Sequence, residues 1–97
     1  PATANIIGKM AHGIADDLLS TLAISVKAPL IMAPAMEENM WKNRNVRDNV
    51  ERLRRAGVTF VGPGYGVLAS GKEGWGRMAE VAEIMNAVEK CLKGKKR

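Results

Sequence analysis

The residues best equipped for chemistry stand together in Pro34-Ala35-Met36-Glu37-Glu38-Asn39-Met40-Trp41. Two carboxylates, an amide, two thioethers and an indole follow a short apolar run, Leu30-Ile31-Met32-Ala33. That run reads as a buried strand, and Pro34 with the small residues around it marks where the strand stops. A loop at the carboxyl end of a parallel strand is where an α/β protein presents its chemistry, because the sheet behind it is rigid. The same residues would also make an ordinary loop with a Met-Trp plug.

Other candidates fall away or stay secondary. Gly66-Val67-Leu68-Ala69-Ser70-Gly71-Lys72 has the spacing of a phosphate-binding P-loop, but Glu73 stands where a magnesium-binding hydroxyl belongs. Gly74 and Gly76 then oppose the helix whose start would bind phosphate. The stretch Gly62 to Gly76 reads better as a flap with glycine hinges, its Tyr65, Leu68 and Trp75 closing over something. His12 is the only histidine and Cys91 the only cysteine, so no metal site is expected around His12, and one histidine without fixed geometry does not argue for a Ser-His-Asp triad. Pro1-Ala2-Thr3-Ala4-Asn5 is a turn of small residues before a helix, a place where backbone N–H groups meet an anion closely.

The elements that position these residues follow from periodicity. Ile6, Ile7, Met10, Ile14, Leu18, Leu19 and Leu22 predict helix over 5–25, capped by Thr3 or Asn5, with Gly8 and Gly13 signalling close packing or a break. Leu30 to Ala33 is a strand. Val46 to Ala56 is a second helix, closed by Gly57 as its left-handed cap. Val58-Thr59-Phe60-Val61 is a second strand, apolar enough to be covered on both faces. Met78 to Leu92 is the last helix, with Val81, Ile84, Met85, Val88 and Leu92 on its buried side. Strand, helix and strand in that order predict a parallel crossover. Two such strands need neighbours, so the reading expects further strands from a preceding half of the domain.

Bulk composition narrows the class. The chain has 97 residues and a net charge of +5, with four of its 15 basic residues in Lys93-Gly94-Lys95-Lys96-Arg97. The body is then nearly neutral, which argues against a nucleic-acid platform. No apolar run approaches the ~20 residues of a membrane span. A single cysteine rules out an internal disulfide and suits a cytoplasmic setting. The chain begins at Pro1, as expected of a piece of a longer polypeptide.

Three segments, in order, resemble the flavin-dependent cysteine decarboxylases. Pro1-Ala2-Thr3-Ala4-Asn5-Ile6, followed by Gly13-Ile14-Ala15-Asp16-Asp17-Leu18-Leu19, is similar to that family's flavin turn and its helix. Ala33 to Trp41 is similar to its Pro-x-Met-Asn-x-x-Met-Trp signature. Leu68-Ala69-Ser70-Gly71 through Gly76-Arg77-Met78 is similar to its substrate flap, usually Ala-Cys-Gly and ending Gly-Arg-Met. The resemblance implies a Rossmann-like flavoprotein with a parallel sheet in a three-layer α/β/α sandwich, partial in this chain. Residues 1–92 would be the C-terminal part of that domain, with 93–97 a basic tail or linker.

The resemblance further implies FMN as cofactor, homotrimers or higher homo-oligomers, and fusion in many members to a phosphopantothenate–cysteine ligase. Its implied reaction converts 4′-phosphopantothenoylcysteine to 4′-phosphopantetheine in coenzyme A biosynthesis. By position Thr3, Ala4, Asn5, Ile6 and Ala35 would contact FMN, and Met40 would help form the substrate site. Two residues depart from pattern. Glu37 stands at the signature asparagine that holds the substrate carboxylate, with Asn39 close enough to take over that role. Ser70 stands at the flap cysteine that donates a proton, with Lys72 or a water as alternatives. Those departures leave two other readings open: a non-catalytic FMN-binding subunit, and a decarboxylase of C-terminal cysteines in peptides.

Overall fold

The computed structural model describes residues 1–94, so three residues of the expected basic tail, 95–97, lie outside the described residues. The order of elements is α1 (Ala4–Ala11), α2 (Leu18–Ser25), β1 (Ile31–Met32), α3 (Glu38–Trp41), α4 (Arg44–Arg55), β2 (Thr59–Phe60), β3 (Gly64–Val67), β4 (Glu73–Arg77) and α5 (Val81–Gly94). Strands β1 and β2 pair in parallel with Ile31 opposite Thr59 and Met32 opposite Phe60, and α4 is the crossover between them. Ala2 adds a parallel bridge to Pro34, which extends the sheet edge to the start of the chain.

The predicted helix over 5–25 is two helices. Gly13 takes a φ of 69°, a left-handed turn that ends α1. Asp17 then starts α2 with a capping box: its carboxylate accepts from the Ser20 N–H, and the Ser20 hydroxyl accepts from the Asp17 N–H. Lys9 reaches back from α1 to Asp16 at 2.8 Å and Asp17 at 3.1 Å, tying the two helices across the turn. Thr3 caps α1, as read, accepting from the Ile6 N–H.

The core lies where α1 crosses α4 above β1. Ile7, Met32, Val50 and Leu53 are its buried members, with Ile6, Met10, Trp41 and Phe60 packed around them. Val50 and Leu53 lie on the face that the spacing predicted. His12 belongs to this seam, where its Nε2 shares a hydrogen bond of 2.9 Å with Asn49 Oδ1. Three expectations need correction. Helix α5 starts at Val81, not Met78. Its Val81, Met85 and Leu92 are exposed, and so are Leu18, Leu19 and Leu22 of α2. Strand β2 is not covered on both faces, since Thr59 is exposed.

The largest departure is at the glycine-rich stretch. In place of a flap of loop, residues 64–77 form an antiparallel hairpin, with Tyr65 opposite Trp75 and Val67 opposite Glu73. Tyr65 and Trp75 meet edge to face at 5.8 Å between ring centres. Glycine at every second position leaves one face of the hairpin nearly bare, with the Arg77 side chain lying over Gly66. Gly74 and Gly76 are buried there against the loop after β1.

Candidate functional site

The loop after β1 is built from its backbone outward. Pro34 is fully buried and ends the strand. The Ala2 N–H donates to Ala33 O at 2.8 Å, and the Ala35 N–H donates to Ala2 O at 3.1 Å. This places the turn Thr3–Ile6 directly beside Ala35. One residue on, the Met36 N–H donates to Gly76 O at 2.9 Å and holds the hairpin onto the loop. The approach is so close that a Cβ on Gly76 would lie 1.9 Å from Met36 O, and its φ of 133° also excludes ordinary side chains.

Two carboxylates complete the clamp. Glu37 Oε1 accepts the Ser70 hydroxyl at 2.7 Å. Glu38 Oε2 accepts the Trp75 N–H at 2.8 Å, and Gly74 leaves room for that side chain. The two residues that depart from the resemblance, Glu37 and Ser70, are thus bonded to each other. Beneath them is a cleft of about 400 Å³ lined by Pro1, Ala35, Met36, Glu37, Leu68, Arg77 and Met78, among others. A second cavity of about 400 Å³ adjoins it at Pro1 and Met78, with apolar walls from Ile6, Ile31 and Ile84.

Of the residues expected in the site, Ala35 and Glu37 line the cleft, Ser70 joins it through its hydrogen bond to Glu37, Ile6 lines the second cavity, and Thr3, Ala4 and Asn5 line neither. Asn39 and Met40 are exposed on α3 and do not line it. The first-turn N–H groups of Ala4 and Asn5 have no protein acceptor among the described residues. Cys91 is half-buried on α5, away from the cleft. No group of three or more His, Cys, Asp or Glu among the described residues could hold a metal ion.

Sequence reasoning missed Gly76 as the docking point and Arg77 as a wall of the cleft. The signal was present in Gly64-Tyr65-Gly66-Val67 and Gly74-Trp75-Gly76: alternation at period two is strand, not loop.

A parallel β–α–β unit with its cleft at the carboxyl end of β1 and a docked hairpin defines a Rossmann-like α/β module. The chain belongs to the Flavoprotein family, whose pattern it matches over residues 1–93. It is 44% identical over 90 residues to the coenzyme A biosynthesis bifunctional protein CoaBC of Bacillus subtilis (strain 168), covering 93% of this chain and 22% of that protein. It is 47% identical over 96 residues to a cysteine/cysteine sulfinic acid decarboxylase of an unknown prokaryotic organism, covering 99% of this chain and 27% of that one.

Among solved structures, a PPC decarboxylase mutant complexed with pantothenoylaminoethenethiol superposes with a TM-score of 0.91 at 36% identity, over 96% of this chain and 52% of that one. The FMN-binding protein AtHal3 gives 0.85 at 33% identity, over 100% and 54%. The chain therefore spans about a quarter of these curated relatives and about half of these solved chains.

Proposed function

We propose that this chain is the C-terminal part of an FMN-dependent decarboxylase that converts 4′-phosphopantothenoylcysteine to 4′-phosphopantetheine in coenzyme A biosynthesis. The observation that carries the reading is convergence: the small-residue turn, the loop after β1 and the hairpin are joined by backbone hydrogen bonds around one cleft. The names of the relatives support the reaction class, since they include CoaBC, a PPC decarboxylase and a cysteine/cysteine sulfinic acid decarboxylase.

The residues present suit FMN. Thr3, Ala4, Asn5 and Ile6 would hold its phosphate end at the start of α1, where unpartnered N–H groups and the helix dipole favour an anion. Ala35 offers no side chain to obstruct a flat ring. When bound, FMN supplies the two-electron chemistry that makes the cysteine carbon able to release CO2.

The chain's own residues bind and position. Met36, Leu68 and Met78 form an apolar wall that excludes water around the substrate sulfur. Glu37 orients the Ser70 hydroxyl, and Ser70 holds a proton at the cleft rim for delivery to the carbon that lost CO2. The hairpin, held at Met36, Glu37 and Glu38, covers the reacting atoms.

Residues 1–92 belong to the decarboxylase domain in this reading, α5 runs on through Lys93 and Gly94, and the chain leads toward a ligase domain of the kind the CoaBC relatives carry. A homotrimer or higher homo-oligomer in the cytoplasm completes the proposal; no helix among the described residues is long and apolar enough to cross a membrane. The test is to incubate the full-length protein with 4′-phosphopantothenoylcysteine and identify the product by mass spectrometry. Formation of 4′-phosphopantetheine supports the reading, and FMN-loaded protein that forms none refutes it.

A further inference from the structure

We propose that Arg77 is the specificity-determining residue for the far end of the substrate, where it grips the 4′-phosphate while the cysteine end reacts. This deepens the decarboxylase reading above and rests on it.

Arg77 supplies the one positively charged side chain that lines the cleft, and Glu37 the one negative. The place of the arginine is built into the hairpin. A Cβ on Gly66 would lie 2.5 Å from Arg77 Cδ and 2.9 Å from its Nη1, so the space left by the missing side chain is the seat of the arginine. Gly64, opposite Arg77 in the ladder, adds no side chain to crowd it. Glu80 stands 3.6 Å from the guanidinium, too far for a hydrogen bond. Both side chains of that pair are at least half exposed, so Glu80 competes weakly and leaves the planar fork of donors open to a ligand.

The substrate carries an anion at each end, and the cleft offers one cation. Two arguments assign that cation to the phosphate. The cysteine carboxylate leaves as neutral CO2, so a cation on it would stabilise the bound substrate more than the transition state and slow the step. The phosphate is unchanged by the reaction and carries about two negative charges. Its oxygens match a guanidinium through two parallel hydrogen bonds. Glu80 and Glu83 line the neighbouring cavity that shares Arg77 and Met78, and they do not line the cleft. Their charge disfavours a phosphate in that cavity, which makes the cleft side of the guanidinium its seat. Binding energy gained at this remote group then holds the cysteine end in place for reaction.

The test uses full-length, FMN-loaded protein and two substrates, 4′-phosphopantothenoylcysteine and pantothenoylcysteine, which lacks the phosphate. Wild type is expected to prefer the phosphorylated one in kcat/KM. In Arg77→Gln that preference should fall at least ~tenfold, the lower end for a hydrogen bond to a charged group, with the value for pantothenoylcysteine nearly unchanged. Arg77→Lys keeps the charge and the stem over Gly66 but loses the fork, and should retain part of the preference. Turnover of pantothenoylcysteine reports in each variant that the protein is folded.

A second readout does not depend on turnover. By calorimetry, 4′-phosphopantothenate should bind wild type more tightly than pantothenate, and Arg77→Gln should close that gap. A wild type indifferent to the phosphate, or a preference that Arg77→Gln leaves intact, overturns the inference. A parallel fall in both substrates also overturns it, because Arg77 would then serve the end that they share. Failure of wild type on both substrates instead refutes the decarboxylase reading, while the calorimetric gap still reports on Arg77.

Discussion

At the scale of single residues, the informative contact is between Glu37 and Ser70. Ser70→Ala deletes an exposed hydrogen bond of 2.7 Å, of the kind that contributes roughly 0.5–1.5 kcal/mol. We expect kcat/KM to fall by about two- to tenfold from that loss of positioning, and further if Ser70 is also the proton carrier. Ser70→Cys, which restores a more acidic donor, should recover activity in steady-state assays of the full-length protein; a serine-to-cysteine change as damaging as alanine would remove Ser70 from the mechanism. The contact itself could not be read from sequence. Residues 37 and 70 were each visible as departures from a pattern, but their meeting depends on how the hairpin docks, 33 positions later in the chain.

Gly76 makes the same point more sharply. Its role is set by Met36 O, which lies where its Cβ would be. Gly76→Ala must push the hairpin off the loop and break the bond from Met36. The expected result in the full-length protein is turnover reduced by about a hundredfold or more, the order seen when reacting groups are misplaced by about 1 Å, with FMN still bound through the turn at Thr3–Ile6. Loss of the flavin spectrum together with turnover would contradict that division of labour.

At the scale of elements, the two-helix start of the chain is held by a titratable cap. Hydrogen bonds from the Ser20 hydroxyl and N–H, then the Lys9 ammonium, lower the Asp17 carboxyl from 3.8 to about 2. A carboxyl with a lowered folded-state pKa stabilises the fold above its unfolded value and loses that contribution as pH falls through the folded one. The start of α2 should therefore loosen between about pH 4 and pH 2, seen as faster amide exchange at Ser20 and Thr21 relative to α4. Uniform loss of protection across both helices would show that the cap is not the responsive element. Gly13 was legible as a possible break, and the acidic pair after it became a cap only once the break was real.

The core seam of α1 and α4 was the most legible element, because the spacing of Val50 and Leu53 permits only one buried face. Ile7, fully buried among Met32, Val50 and Leu53, is the residue on which the seam depends. Ile7→Ala should cost about 2–5 kcal/mol in denaturant unfolding of the full-length protein. A cost below about 1 kcal/mol would mean that the core has collapsed around the missing atoms.

At the scale of the whole molecule, the parallel pairing of β1 and β2 was legible, whereas the antiparallel hairpin and the covering of the outer faces were not. The stripes on α2 and α5 have the right period for burial, yet Leu18 is 75% exposed and Val81 67% exposed. Periodicity reports that a face is apolar; it says nothing about which residues cover it. The chain spans about half of the solved proteins that it resembles. We expect this stretch alone to bind a hydrophobic dye strongly and FMN weakly, and the full-length protein to do the reverse; tight FMN binding by residues 1–97 in a fluorescence titration would show that the turn and cleft suffice.

The central proposal is that turn, loop and hairpin close on one cleft where a cysteine carboxylate is lost. Its most direct measurement is the release of labelled CO2 from carboxyl-labelled 4′-phosphopantothenoylcysteine by the FMN-loaded, full-length protein under anaerobic conditions. The account predicts one CO2 and one 4′-phosphopantetheine for each substrate consumed, over many turnovers and with no external oxidant. Substrate that binds the FMN-loaded protein and releases no CO2 would contradict it.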